Sequence, residues 1–177
     1  GAGTQARLIS KHYNLFYLDT GKIYRLIGLM KIKNNNKINY SNVQKKIKSL
    51  KVNNLKKKEL LSSEVGIAAS IVAKDKKIRN LVHNFQIECA YNPPKKYNGS
   101  CLDGRDITYK IIPDADFKFF ITASVKTRAK RRYLELKSLK NKISFNQVLK
   151  SIKKRDKSDY TRKISPLTKK YSILINS

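Results

Sequence analysis

Hydrophobic residues follow two different spacings along this chain, and each spacing predicts a different secondary structure. The helical period appears between Ala6 and Tyr13 and again between Ile23 and Met30. Further helices are predicted from a cap at Ser62 to about Tyr91, from Ser124 to Leu139, and from the capping box at Ser144 toward Pro166. Short apolar runs predict strands at residues 15–18, 101–102, 117–123 and 171–175.

These strands and helices alternate, which predicts an α/β fold: a parallel β-sheet flanked by helices on both faces. Residues 117–123 are nearly all apolar, so this strand is expected to be buried on both sides. The composition shifts to Asn and Lys after residue 30, as in an insertion or mobile subdomain. We therefore expect a core domain of residues 1–30 and 63–177, with a short insert at 31–62.

Charge is the strongest compositional signal. The 177 residues carry a formal net charge of +28, which attracts nucleic acids and phosphates. Lys, Asn and Ile all run high together, however, so a solvated lysine-rich surface explains the charge as well. No apolar run approaches the roughly 18 residues needed to span a bilayer, and no signal peptide precedes the first helix. A cytoplasmic monomer is expected.

Cysteine and histidine provide little chemistry. Cys89 and Cys101 are too few and too poorly spaced for a metal knuckle or a disulfide framework. His12 and His83 lie far apart without acidic neighbours.

Arginine is rare here, with nine copies among 40 basic residues. A guanidinium can grip a phosphate or carboxylate with two parallel hydrogen bonds, whereas an ammonium acts as a point charge. Most of the arginines lie in short polar turns beside Asp, Gly, Tyr or Ser. This placement indicates an anionic, phosphorylated ligand.

Several of these turns carry motifs of one family. The chain resembles bacterial cytidylate kinases, a branch of the P-loop nucleoside monophosphate kinases. The motifs occur in family order and cover nearly the whole chain outside about 31–62. The matching stretches are 17–25, 63–70, 103–106, 113–116, 131–133, 155–162 and 165–167.

The resemblance implies an enzyme that phosphorylates CMP or dCMP with ATP and Mg²⁺. It places phosphate recognition at Arg25 and Arg105, and gives the cytosine edge to a set of three residues. An acceptor-only carboxylate suits the exocyclic amine of cytosine and would repel the carbonyl of uracil. The implied acceptor site consists of Thr20, Tyr24, Arg25, Ser70, Arg79, Arg105 and Asp106, with Asp159 at the sugar.

Arg155, Asp159 and Arg162 are spaced to share one helix face. They resemble the family's lid, expected at about 150–165, whose arginines neutralise charge in phosphoryl transfer. The implied catalytic arginines are Arg128, Arg131, Arg132, Arg155 and Arg162.

The donor loop departs most from the family pattern. The motif G-x-x-x-x-G-K-[ST] follows a strand, but no lysine precedes Thr4 and no strand precedes Gly1. Gly1, Ala2, Gly3 and Thr4 match the family's Gly-Lys-Gly-Thr if the register is contiguous. Alternatively, Gly1 to Gly3 are the earlier part of the loop. We expect a first strand and part of the loop to be missing, and Thr4 to hold Mg²⁺.

Other interpretations remain open from the residues alone. Tyr24 could pack in the core, Arg79 could be a solvated helix charge, and Arg105 could form a structural pair with its neighbour Asp106. The basic stretch from Arg128 could be a surface helix. The alternatives for the whole chain are another small P-loop nucleotide kinase, a basic nucleic-acid-binding protein, or a remnant that binds CMP without catalysis.

Overall fold

The structure is a computed structural model that describes residues 1–138 and 143–177. The first half contains helices α1 (Ala2–His12), α2 (Thr20–Lys33), α3 (Tyr40–Lys48), α4 (Ser63–Val72) and α5 (Lys76–Tyr91), with strand β1 (Phe16–Asp19) between α1 and α2. Two 3₁₀ turns, Val52–Lys56 and Lys58–Leu61, connect α3 to α4. The second half contains β2 (Ser100–Asp103), a π-helical turn (Ile107–Ile111), β3 (Phe119–Thr122), α6 (Val125–Ser138), α7 (Phe145–Thr161) and β4 (Ile173–Asn176).

The strands pair in parallel, as predicted. β1 pairs with β2, with Asp19 opposite Asp103 at the end of the ladder, and β3 pairs with β4. The four described strands form two separate two-stranded sheets. The carboxyl ends of β1 and β2 therefore meet at one edge, where the following residues are brought together.

The single helix predicted over 63–91 is wrong, because α4 ends at Val72 and α5 begins at Lys76. Asp75 is the reason: its carboxylate accepts a hydrogen bond from the backbone N–H of Ile78 at 3.0 Å and so caps a new helix. Ser70 and Arg79 consequently lie on different helices. The predicted caps at Ser62 and Ser144 are confirmed.

The prediction that 117–123 is a strand buried on both faces is also wrong. The strand is shorter, and the exposed fraction is 75% for Phe117 and 40% for Phe119. Its partner β4 is itself exposed, with Ile173 at 58%, so this ladder has little cover. The predicted end of the basic helix at Leu139 lies outside the described residues.

The main core lies between α2, α4, α5 and β1. Its fully buried side chains include Leu18, Ile23, Ile27, Leu60 and Ile78. Residues 31–62 pack onto this core through buried side chains of α3, of the 3₁₀ turns and of the loop between them: Val43, Ile47, Leu50, Leu55 and Leu60.

A second, smaller core joins α6 to α7 through Ala129, Leu136 and Val148. In neither described range does a helix combine the length and apolarity needed to cross a membrane.

Candidate functional site

The carboxyl edge of β1 and β2 is built around Thr20 and Gly104. The Thr20 hydroxyl donates a 2.8 Å hydrogen bond to the carbonyl of Asp103, and Thr20 is 3% exposed. A Cβ atom at Gly104 would collide with the Thr20 hydroxyl oxygen. Glycine is therefore required at 104, and the tight turn presents Arg105 and Asp106 at this edge.

Arg79 and Asp106 form a buried ion pair beside Tyr24. The two charged side chains are 6% and 5% exposed. The Arg79 Nη1 donates to the carbonyl of Ala73 at 3.1 Å, and its guanidinium carbon lies 5.6 Å from the centre of the Tyr24 ring. Burial raises the pKa of Tyr24 to about 12, so the phenol stays neutral. Arg79 Nε is buried without a hydrogen-bond partner among the described residues.

Three arginines surround the carboxylate of Asp159. Its carboxylate lies 2.7 Å from Arg105 Nε, 3.5 Å from Arg162 Nη1 and 3.8 Å from Arg155 Nε. The positive charge of Arg105 is the main cause that lowers the pKa of Arg155, to about 10, although nearly half of the Arg155 side chain is exposed. One carboxylate cannot neutralise three guanidinium groups, so this cluster attracts a further anion.

Arg162 is the most buried member of that cluster, with a side chain 7% exposed. Its Nε donates to the carbonyl of Ser165 at 2.6 Å, and Ser165 turns back with a φ of 51°. Burial lowers the pKa of Arg162. Its Nη2 is buried and finds no hydrogen-bond partner in the part of the chain that the structure describes.

Arg25 and Arg132 approach the same cluster from α2 and α6. Arg25 Nη1 donates to the carbonyls of Leu60 and Ser62 at 2.7 and 3.1 Å, and Arg132 Nη2 donates to the carbonyl of Leu61 at 2.6 Å. Burial and then the charge of Arg132 lower the pKa of Arg25. Since Arg25 and Arg132 both lower the pKa of Arg155, their charges share one electrostatic neighbourhood.

The structure does not bring every predicted residue into this neighbourhood. Arg128 forms a two-handed ion pair with Asp156, at 2.9 and 2.7 Å, and its Nε donates to the carbonyl of Ala123 at 3.0 Å. Arg131 Nη1 lies 3.3 Å from the hydroxyl of Ser177. The Ser70 hydroxyl donates to the carbonyl of Gly66 at 3.1 Å, within its own helix.

Residues Gly1 to Thr4 begin helix α1 against the carboxyl edge of β1 and β2. Gly1 is the N-cap, and its carbonyl accepts from the N–H of Thr4 at 3.0 Å. A Cβ atom at Gly3 would lie 2.8 Å from a carboxylate oxygen of Asp103. Thr4 is exposed. The backbone N–H groups of this turn form the positive end of the helix dipole, which suits an anion.

Sequence reasoning missed Asp19 and Asp103 as a pair. Burial, and then the neighbouring charge of Asp19, raise the pKa of Asp103. Tyr17 lies beside them, and its hydroxyl is buried without a partner among residues 1–138 and 143–177. The sequence signal that could have revealed this pair is an aspartate directly after each of the two predicted strands, 15–18 and 101–102. Among the described residues, no cluster of three or more His, Cys, Asp or Glu side chains could hold a metal by itself.

Comparisons with known proteins assign the family. The profile described as cytidylate kinase matches residues 1–176. The chain is 41% identical over 174 residues to the cytidylate kinase of Bartonella tribocorum, covering 94% of this chain and 76% of that protein. It is 38% identical over 188 residues to the cytidylate kinase of Thermosipho melanesiensis, covering 100% of this chain and 84% of that protein.

The chain belongs to the cytidylate kinase family. A third relative, the cytidylate kinase of Clostridium botulinum strain Loch Maree, is 38% identical over 189 residues, with 100% of this chain and 85% of that protein covered. The predicted family is therefore confirmed. The family match includes residues 31–62, where the motif series was silent. The geometry fits a nucleotide kinase, because six arginines from the family motifs and from segments beside them share one electrostatic neighbourhood: Arg25, Arg79, Arg105, Arg132, Arg155 and Arg162.

Proposed function

We propose that the protein transfers the γ-phosphoryl group of ATP to CMP or dCMP. The observation that carries this proposal is that two buried guanidinium nitrogens, Arg79 Nε and Arg162 Nη2, have no hydrogen-bond partner within residues 1–138 and 143–177. Buried polar groups are nearly always hydrogen-bonded, so an unpaired one needs an explanation. An acceptor nucleotide, with a polar base edge and a charged phosphate, provides partners for both.

Base recognition is assigned to the buried pair and to α4. Asp106 can only accept hydrogen bonds when ionised, so it suits the exocyclic amine of cytosine and disfavours the carbonyl of uracil. Arg79 supplies donors to the ring acceptors of the base. Ser70 would turn its hydroxyl from Gly66 toward the base, while Thr20 and Tyr24 form the wall of the site.

The acceptor phosphate is assigned to Arg25, Arg105 and Arg162, and the sugar to Asp159. Arg155 and Arg162, with Arg132, form the catalytic arginine group, and residues 150–165 act as the lid. Arg128 and Arg131, which the sequence also assigns to this group, are left out of it, because Arg128 is held by Asp156 and Arg131 contacts Ser177. Closing the lid brings positive charge onto the transferring phosphoryl group and expels water.

The domain arrangement follows from these roles. Residues 1–30 and 63–177 form the kinase core, with its two pairs of parallel strands and the helices beside them, and 31–62 form the acceptor-binding insert. Because one chain supplies every residue of the proposed site, a monomer is the working unit. Its place of action is the cytoplasm, where ATP and CMP are available.

The donor site is assigned to Gly1, Ala2, Gly3 and Thr4. The Asp103 carboxylate beside Gly3 fits a bound cation, because burial, and then the negative charge of Asp19, raise the pKa of Asp103 and a cation would offset both effects. Mg²⁺ prefers oxygen ligands, and the Thr4 hydroxyl and Asp103 carboxylate would hold it. When bound, Mg²⁺ neutralises charge on the donor phosphates. If Gly1 to Thr4 match the family's Gly-Lys-Gly-Thr in contiguous register, Ala2 stands at the lysine position, and the arginines that face Asp103 would supply more of the positive charge: Arg105, Arg7 and Arg155.

The reaction itself needs alignment more than covalent help. An oxygen of the acceptor phosphate attacks the γ-phosphorus, a new P–O bond forms, and the bond to the β-phosphate oxygen breaks to release ADP. The chain's guanidinium groups hold both nucleotides and neutralise charge in the transition state.

An ADP-release assay with CMP, dCMP, UMP and AMP tests this function. We expect turnover that is highest with CMP or dCMP, and a large loss in Arg105→Lys, because lysine cannot make a two-handed contact. Equal turnover with all four acceptors would remove the substrate assignment. Calorimetric CMP binding without turnover would instead identify a binding remnant. Steeply salt-dependent binding to RNA that is insensitive to Arg105→Lys would indicate a nucleic-acid-binding protein.

A further inference from the structure

A side-chain clasp joins residues 31–62 to the helix that carries Arg79. Tyr40, the first residue of α3, donates a hydrogen bond from its hydroxyl to Oδ2 of Asp75 at 2.7 Å. The Lys77 ammonium lies 5.0 Å from the centre of the Tyr40 ring, a cation–π contact. Both partners of Tyr40 lie at the start of α5.

Asp75 controls the first turn of that helix. Its Oδ1 accepts the N–H of Ile78 at 3.0 Å, and its backbone carbonyl accepts the N–H of Arg79 at 3.0 Å. The guanidinium of Arg79 returns across the same turn to the carbonyl of Ala73 at 3.1 Å. The orientation of Asp75 and the position of Arg79 are therefore parts of one local structure.

We infer that Tyr40 is a positioning residue for base selection: by holding Asp75, it fixes the first turn of α5 and so the aim of Arg79 at the base. The inference rests on the proposed function and adds a residue of the insert to it. Among the described residues, the polar partners of Tyr40 are Asp75 and Lys77 rather than Arg79 or Asp106, so Tyr40 acts through Asp75.

The protonation states agree with a neutral donor and an ionised acceptor. The hydrogen bond to Asp75 is the main cause that raises the pKa of Tyr40. Burial alone would raise the pKa of Asp75, but the hydrogen bonds from Tyr40 and from the N–H groups of Ile78 and Lys77 outweigh it, and the pKa is lowered. The clasp is thus intact at neutral pH.

The far end of α5 supplies a matched control. Tyr91, its last residue, also donates a hydrogen bond from its hydroxyl to a carboxylate, that of Asp114. The exposed fractions are similar, 38% for Tyr40 and 48% for Tyr91. Tyr91 lies about four helical turns from the first turn of α5. Removing its hydroxyl therefore changes a surface hydrogen bond without altering the contacts that position Arg79.

The experiment compares Tyr40→Phe with Tyr91→Phe by measuring kcat/KM for CMP and for UMP. We expect the CMP-to-UMP ratio to fall about three- to tenfold in Tyr40→Phe, the scale of one lost hydrogen bond. The loss should come mainly from a higher KM for CMP, with kcat within about twofold. The ratio should stay at its wild-type value in Tyr91→Phe, even if both variants lose similar thermal stability.

Asp75→Asn gives a second measurement, because asparagine still caps a helix but is a weaker partner for the phenol. The ratio should fall as in Tyr40→Phe, and the double variant should show no further fall. An unchanged ratio in Tyr40→Phe, or an equal fall in Tyr91→Phe, overturns the inference alone. A wild type that does not distinguish CMP from UMP overturns the proposed base recognition, and the inference with it.

Discussion

Two ion pairs in this protein, Arg79–Asp106 and Arg128–Asp156, each join an arginine to an aspartate. They differ in how many of the guanidinium nitrogens have hydrogen-bond partners. Arg128 gives both Nη atoms to Asp156 and its Nε to the carbonyl of Ala123. Arg79 gives one Nη atom to Asp106 and the other to Ala73, but its Nε is buried without a partner among the described residues. The Arg128 side chain is about one-third exposed, whereas the Arg79 and Asp106 side chains are almost wholly buried.

The difference separates a structural contact from a prepared binding group. An arginine with every nitrogen paired, as Arg128 has, is already satisfied and joins α6 to α7. A guanidinium held in the interior with a free donor carries a desolvation cost that a ligand can relieve. Arg162 belongs with Arg79 in this respect, since its Nη2 is also buried without a partner within the described chain.

The largest expected effect comes from replacing the most buried arginine of the Asp159 cluster. Arg162→Lys keeps the charge but loses the planar fork of donors. We expect kcat/KM for CMP to fall about 100- to 1000-fold, the range seen for removal of one transition-state donor. Arg128→Lys is the matched control and should stay within about threefold of wild type. A similar loss in both variants would contradict the distinction.

The second-largest effect should be on the preference for CMP over UMP. Asp106→Asn places an amide where cytosine would meet a carboxylate, so the preference for CMP over UMP should fall at least about tenfold. Asp156→Asn makes the same change at the other pair and should leave the preference intact. Steady-state kinetics with both nucleotides measures the ratio, and circular dichroism checks that each variant is folded. Retained preference in Asp106→Asn would remove Asp106 from base recognition.

The Arg128–Asp156 ion pair between α6 and α7 should affect stability rather than catalysis. Arg128→Ala should lower the free energy of unfolding by about 1 kcal/mol, the upper range for a partly exposed ion pair. Urea denaturation measures this value. At temperatures well below unfolding, kcat/KM should change less than about threefold. A loss of activity without a loss of stability would move Arg128 into the catalytic group.

The smallest effect concerns Asp103. Because its pKa is raised in the folded state, the contribution of Asp103 to wild-type stability should fall as pH increases through the interval between the ordinary aspartate value and the raised value. Asp103→Asn removes this titration, so the variant should gain stability relative to wild type from acidic to neutral pH. Urea denaturation across that range, without Mg²⁺, provides the measurement. A constant difference between the two proteins would mean that Asp103 is not strained by its neighbours.

Much of the fold and part of the site could be predicted from local sequence signals. Caps fix the starts of α4 and α7, and the spacing of Arg155 and Asp159 places them on one face of α7, whereas Arg162 lies directly after the end of the helix. The break between α4 and α5 was missed, because the charged residues 74–77 that cross it include neither Gly nor Pro and only Asp75 marks the new helix.

The partners of individual arginines could not be predicted either. Arg128 and Arg132 are one helical turn apart on α6, yet one binds Asp156 and the other the carbonyl of Leu61. That choice depends on which distant segments pack against each side of the helix, and spacing along α6 carries no information about it. The exposure of Phe117 and Phe119 has the same origin, since it depends on what covers β3.

A crystal structure of the protein with bound CMP shows whether Arg79 and Arg162 bind the nucleotide through their inward-facing nitrogens. We predict that Arg79 Nε and Arg162 Nη2 each donate a hydrogen bond to the nucleotide, while Arg128 keeps both contacts to Asp156. The roles proposed for Arg79 and Arg162 are wrong if CMP binds elsewhere and leaves both nitrogens unpaired, or if Arg128 releases Asp156 to hold the nucleotide in their place.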